Sequence, residues 1–266
     1  MNWSFHLILI IFLQFTFTCS LSFGSQGSHS DASQVHPLSD SKANWPSPVM
    51  DSENFGLLLF DLLEYKSAGN DSSFNWDIVG WRGGDVHRLW VKSEGNSVTT
   101  SPAKNETDLQ LLYGRPVSAF FDAQIGTRLE QVWGAGQSVS RLSAAMGLQG
   151  FAPYRFEFEA ALFVGEAGHI SARISTNKDL LLTQKTIAQF RFETNGSAKN
   201  SDKFETGSGV NDLSLGLRLR YEIKREIAPY IGVSWTNLFG ETADFRKLAG
   251  GSSSELNAVG GLRLWY

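Results

Sequence analysis

The sequence predicts an all-β chain that closes as an antiparallel barrel of about twelve strands. Three observations predict it. Apolar residues alternate with polar ones along segment after segment, the period-two signature of strands with two different faces. The chain is punctuated by turn residues at regular spacing and shows almost no helical periodicity. Aromatic residues, including eight tryptophans among 266 residues, cluster near the ends of those segments, and the last residue is itself aromatic.

The N-terminal segment sets the compartment. Leu7 to Phe17 is a short apolar run, followed by small residues in "TCSLSFGS". A bilayer-spanning helix needs about 20 apolar residues, so this reads as a secretory signal cleaved between about Ser20 and Ser25. Thr16, Phe17 and Thr18 ahead of Cys19 match a lipoprotein box poorly, so simple cleavage is expected. Residues 1–24 are therefore assigned to the leader. Residues 25–54 are rich in Ser, Asp, His, Asn and Pro and read as a disordered polar arm. Cys19 is the only cysteine, which excludes a disulfide framework and a cysteine-based metal site. The net charge of −4 gives no reason to expect nucleic acid.

The folded part, 55–266, divides into strands in order. "LLLFDLLEYKS" (57–67) is apolar and by itself ambiguous with a helix. "SFNWDIVGWR" (73–82) and "VHRLWVKSEG" (86–95) flank a "GGD" turn, a hairpin signature. "TDLQLLYGRPV" (107–117) follows, then "AFFDAQIGTRLEQ" (119–131), in which Phe121, Ala123, Ile125, Thr127 and Leu129 oppose Asp122, Gln124, Arg128 and Glu130. Next come 140–152 and 154–166. In the latter, Phe156, Phe158, Ala160, Leu162 and Val164 oppose Arg155, Glu157 and Glu159. Segments 170–182 and 183–195 precede "DLSLGLRLRYEIKREIAPYIGVSW" (212–235), two strands joined near Lys224–Glu226, and 255–266 closes the count.

A row such as Leu213, Leu215, Leu217 and Leu219 beside Ser214, Gly216, Arg218 and Arg220 needs two solvents. Lipid outside and a polar lumen inside satisfy it, with strands of about 10 residues suiting a tilted crossing. Short connections ("GGD", "RPVS", "AP", "KRE") alternate with longer ones (about 96–106, 196–208, 240–254), as in a transmembrane barrel with short periplasmic turns and longer extracellular loops. Trp76, Trp81, Trp90, Tyr113, Trp133, Tyr154, Tyr221, Tyr230, Trp235 and Trp265 are expected in interfacial girdles. The alternative is a secreted β-sandwich or lipocalin-like barrel with its apolar face inside.

The lumen face is expected to carry a ladder of charges: Arg88, Glu94, Asp122, Arg128, Arg173, Arg191, Arg218, Arg220 and Glu222, with Asp77, Lys92, Glu157, Glu159, Asp179 and Glu193. Mixed signs at cross-strand positions read as ion pairs that fill and stiffen a narrow barrel. Glu157 and Glu159 share one strand face, where an arginine-neutralised wall is the expected role. No GxSxG, HExxH or phosphate-loop signature is present, so no enzymatic activity is expected, and an outer-membrane lipase or protease is the remote alternative. The histidines beyond the leader are His29, His36, His87 and His169, and the methionines Met50 and Met146. None lies at metal-ligand spacing.

Several stretches in order, "FDLLEY", "NWDIVGWRGGDVHRLWVKSEG", "LLYGRPVSAFFDAQIGTR", "GLQGFAPYRFEFEAALFVGEAGHISARI", "DLLLTQ", "GSGVNDLSLGLRLRYEIKREIAPYIGVSW" and the "GLRLWY" ending, resemble the CopB/PcoB family of outer-membrane copper-resistance proteins. The resemblance covers about residues 58–266. It implies a twelve-stranded barrel in the outer membrane of a Gram-negative bacterium, embedded in outer-membrane lipid. Such a barrel binds copper, or assists its export or sequestration, with a periplasmic copper-handling protein as a possible partner. On this resemblance copper meets His87, His169, Met146, Glu157 and Glu159. The Met- and His-rich arm frequent in the family is reduced here to His29, His36 and Met50, which keeps open a general outer-membrane pore or structural barrel without metal specificity.

Overall fold

The computed structural model describes residues 54–68, 71–98, 104–134 and 137–266. The leader expected over 1–24, and the arm expected over 25–54 apart from Asn54, lie outside the described residues. Twelve strands follow: β1 (Phe55–Ala68), β2 (Asp71–Gly83), β3 (Arg88–Val98), β4 (Lys104–Pro116), β5 (Phe121–Gly134), β6 (Gln137–Ala152), β7 (Phe156–Gly165), β8 (Ile170–Leu181), β9 (Thr186–Ser197), β10 (Gly209–Tyr221), β11 (Ile227–Leu238) and β12 (Ser254–Trp265). Each pairs antiparallel with its chain neighbours, and β1 pairs with β12, so the sheet closes. The Leu58 and Tyr266 backbones exchange hydrogen bonds of 2.8 and 2.9 Å at the seam. Closure removes the unpaired edge that any open sheet would present. It also resolves the ambiguity of 57–67: this stretch is the seam strand, with a partner on each side.

The two faces are inverted relative to a water-filled setting. Leu215, Leu217 and Leu219 are 43–45% exposed, whereas Arg218 and Arg220, which alternate with them, are each 3% exposed. Ile125, Leu142, Ile174, Ile231 and Val233 stand out from the wall in the same way. A β-sandwich or lipocalin-like core would bury these rows, so the apolar-inside alternative is overturned.

One strand breaks the alternation for a reason. Asp61 and Glu64 are three residues apart and would face opposite sides of a regular strand. A bulge between Phe60 and Leu62 against β2, seen also against β12, inserts one extra residue. Both carboxylates are thereby buried, at 8% and 0% exposure.

The connections differ from expectation in part. At one end they are short throughout: 84–87, 117–120, 153–155, 182–185 and 222–226. At the other end 198–208 and 239–253 are longer, but 69–70, 99–103, 135–136 and 166–169 are no longer than the turns opposite. The longest of these loops contains a helix that strand patterning did not suggest, α1 (Gly240–Leu248). The aromatic girdle also needs correction. Trp81 packs against Trp90 with ring centroids 5.9 Å apart, and Trp90 and Tyr230 are 7% and 5% exposed on inward-facing positions. The outward aromatics stand at both ends, Phe55, Tyr113, Phe120, Phe151, Tyr154, Tyr221 and Tyr266 at the short-turn end and Tyr65 and Phe74 toward the loop end.

The seam register is testable. Ser67 and Ala258 are direct partners across β1 and β12, both on the exposed face. Cysteines at these two positions are expected to form a disulfide in the folded protein, seen as a reducible change in gel mobility. Tyr65→Cys with Ala258→Cys, displaced by two residues, is expected to cross-link far less. Equal yields from the two pairs would refute the register.

Candidate functional site

The lumen is crossed by two complementary walls. Carboxylates line β1 to β4: Asp61, Glu64, Asp77, Glu94 and Asp108. Arginines line β8 to β10: Arg173, Arg191 and Arg218. These strands face each other across the closed sheet, and the long arginine side chains span the gap. Arg218 grips Glu64 with two hydrogen bonds, Nε to Oε2 at 2.7 Å and Nη2 to Oε1 at 3.1 Å. Arg191 donates to Asp77 at 2.7 Å and to Asp61 at 3.4 Å, and Arg263 donates to the other oxygen of Asp61 at 2.8 Å. Arg173 reaches Glu94 at 2.7 Å and Asp108 at 3.2 Å, while Arg128 donates to Asp108 at 2.6 Å. A guanidinium presents five donors in a planar fork, so one residue can tie two carboxylates at once, which a lysine point charge does less well.

The wall over β2 to β7 is partly apolar. Trp90, Leu112, Ala145 and Phe163 form a buried cluster with Val79, Trp81 and Ala161 packed against it. Cations lie on its aromatic faces: the Arg128 guanidinium is 4.1 Å from the Phe163 ring centroid and Arg88 is 5.2 Å from Trp81. Two glycines make room for the arginine latch. A Cβ at Gly216 would stand 2.3 Å from Arg218 Nη1, and one at Gly232 would stand 3.0 Å from Arg218 Cγ.

Between this latch and the longer loops lies a cavity of about 570 Å³. Its floor includes Arg173, Arg191 and Arg218, and its rim includes Glu205, Thr242 and Ser252. The loops lean together over it: the Gly207 amide donates to Thr242 Oγ1 at 2.8 Å, and Arg141 stacks on Phe204 at 4.1 Å while pairing with Glu130 at 2.6 Å.

The charge ladder read from sequence is therefore present at Arg88, Glu94, Asp122, Arg128, Arg173, Arg191, Arg218 and Arg220. Arg88 pairs with Asp122 at 2.7 Å and Arg220 with Asp179 at 2.7 Å. Glu222 departs from it, because β10 ends at Tyr221 and Glu222 lies in the turn beyond, in no salt bridge among the described residues. Alternation missed Asp61, Glu64, Asp108, Arg141 and Arg263. For the first two the only available signal was the spacing D-x-x-E inside an apolar run, which demands a bulge.

The five residues expected to meet copper are not brought together. His87 lies in the turn 84–87 and bonds to the Tyr113 hydroxyl, while His169 lies in the connection 166–169 at the opposite end. About ten residues of strand separate those ends, on the order of 30 Å at roughly 3.3 Å per residue. Met146 is 44% exposed on the outer face. Glu159 is committed to Lys92 at 2.8 Å, and Glu157 stands at the start of β7. Among the described residues no three His, Cys, Asp or Glu side chains gather as a metal-holding group. His169 alone lines the cavity. Its Nε2 has no hydrogen-bond partner among the described residues, and burial, with the Arg141 guanidinium nearby, holds the imidazole below its ordinary range and so neutral at pH 7.

The family described as "Copper resistance protein B precursor (CopB)" matches this chain over residues 54–266. Copper resistance protein B of Escherichia coli is 36% identical over 233 residues, covering 88% of this chain and 73% of that one. The copper resistance protein B homolog of Pseudomonas syringae pv. tomato is 39% identical over 218 residues, covering 82% and 72%. Among solved structures the NanC porin superposes with a TM-score of 0.49 at 11% identity, over 79% of this chain and 99% of that one.

The latch is expected to carry a large share of stability. Arg218→Ala strands the fully buried Glu64 carboxylate and should cost about 3–5 kcal/mol in reversible urea unfolding. Pairing it with Glu64→Met should return most of that loss, because no charge is then left unpaired. A single-variant cost below about 1 kcal/mol would show the contact to be dispensable.

Proposed function

The chain belongs to the copper resistance protein B family, and from that membership we propose that it is an outer-membrane barrel that confers copper resistance. It binds copper and assists its export or sequestration from the periplasm, without catalysis of its own. The observation that carries the membrane placement is the inversion of the wall, with leucine rows outward and arginines inward. Only a surrounding of hydrocarbon favours that arrangement over its reverse. Copper is the cargo in this reading. The loop-end cavity is the chamber for it, since it holds a neutral imidazole at His169 and lies above the arginine–carboxylate latch. A periplasmic copper-handling protein is the natural donor at the opposite end.

Copper resistance is tested with a deletion strain. Loss of the gene should lower growth on raised copper, and the wild-type chain should restore it. Calorimetry on the refolded barrel should show copper binding that His169→Ala weakens at least about tenfold, a difference of about 1.4 kcal/mol. No copper binding together with unchanged tolerance would overturn the reading.

The second reading is a general pore, and the crossed lumen argues against it. Planar-bilayer conductance is expected to be small for the wild type and several-fold larger for Arg173→Ala/Arg191→Ala, which removes two of the cross-lumen ties. A wild type that already conducts like the double variant would favour the general pore.

A further inference from the structure

The short-turn end carries a pattern that the lumen does not explain. Three of its five turns hold both an exposed apolar side chain and a cation, and a fourth holds an exposed apolar side chain five residues after a cation of β4. Phe120 follows Arg115, Tyr154 adjoins Arg155, Leu182 precedes Lys185, and Ile223 adjoins Lys224 and Arg225. The apolar members are far from buried: Tyr154 is 85% exposed, Phe120 68%, and Leu182 and Ile223 59% each. Asp85, Glu222 and Glu226 share this end, yet none of these cations makes a salt bridge among the described residues. At the loop end the contrast is plain, with Arg246 paired to Glu255 at 2.9 Å and Lys247 to Asp244 at 3.6 Å.

The backbone at one of these tips is held in an unfavourable form. Tyr154 and Arg155 have φ of 64° and 60°, two successive left-handed residues where a tight hairpin ordinarily takes Asn-Gly. Residues kept in such conformations point to a role at that position. Just inside this turn, Lys178 on the outer wall donates to the Tyr154 carbonyl and lies 4.9 Å from the Phe156 ring centroid. The end thus presents cations interleaved with aromatic and aliphatic tips, and its carboxylates form no salt bridge with those cations among the described residues.

Height decides what meets this end. Strands of about 12 residues, rising roughly 3.3 Å per residue and tilted about 40°, make a wall about 30 Å tall around an apolar band of about 25 Å. Turns of three to five residues cannot project far beyond it, so their tips lie in the headgroup layer. We propose that the short-turn end is a collar for anionic phospholipid headgroups. Phosphates are bound by Arg115, Arg155, Lys185, Lys224 and Arg225, and the apolar tips seat at the acyl boundary. This rests on the outer-membrane reading above.

The test refolds the full chain into mixed phosphatidylcholine and phosphatidylglycerol vesicles and identifies the lipid retained after gentle extraction by native mass spectrometry. Retained phosphatidylglycerol is expected at about fivefold or more over its share in the vesicle. Arg155→Ser/Lys185→Ser/Lys224→Ser/Arg225→Ser should bring it down to that share, while Lys203→Ser/Lys247→Ser at the loop end leaves it enriched. All six positions are exposed, and heat-resistant gel mobility checks that each variant folds. Equal retention by wild type and collar variant would overturn the proposal. So would the absence of headgroup preference combined with cross-linking of Lys185 and Lys224 to an acidic periplasmic protein, which would move the collar to a protein partner. Flotation separates these outcomes from a failure of the membrane reading, in which the chain would enter neither kind of vesicle.

Discussion

A buried guanidinium must find a carboxylate, and in this barrel it finds one on the far wall. Taking an arginine out of water costs several kcal/mol unless its donors are met. Arg173, Arg191 and Arg218 meet theirs on β1 to β4, across the lumen rather than along it. Much follows from that. The bulge in β1 turns Asp61 inward beside Glu64, Gly216 and Gly232 leave space beside Arg218, and ion pairs cross the lumen. The same contacts constrain the barrel's cross-section, since each tie holds two opposite strands at the reach of one arginine.

The outer face obeys the complementary rule. Leucine, isoleucine and valine rows stand outward, and the closed sheet leaves no unpaired backbone edge. Inside and outside are therefore specified by different physics on the same strands. Alternate residues stand outward as apolar rows on one side and meet in ion pairs on the other. The apolar cluster around Trp90 and Phe163 is the exception on the inner wall, and cations lie on its rings, so even there the lumen is filled by contact between charge and aromatic face.

The latch residues Arg173, Arg191 and Arg218 form the floor of the loop-end cavity. The loop end holds the one histidine that lines the cavity, His169, with helix α1 and the loop 198–208 packed together above it. The opposite end carries cations and aromatic tips.

The sequence by itself determined the fold class and the strand order. Period-two alternation recurred along most of the segments and gave faces where leucine and arginine separate sharply, while 57–67 stayed ambiguous with a helix until the sheet closed. It also determined most of the charged lumen positions, which alternation reads off residue by residue. Tertiary structure decided what alternation cannot encode. Which arginine meets which carboxylate depends on strands more than a hundred residues apart, as for Arg218 and Glu64 or Arg191 and Asp77. Trp90 and Tyr230 looked like girdle residues because they lie near strand ends, and only the closed sheet showed that they point inward. His87 and His169 looked equivalent, each at a turn–strand junction, until antiparallel closure put them at opposite ends of the barrel. Local period fixes a side chain's face. Its partners across the lumen are fixed by closure and register, and those arise only when the whole sheet is formed.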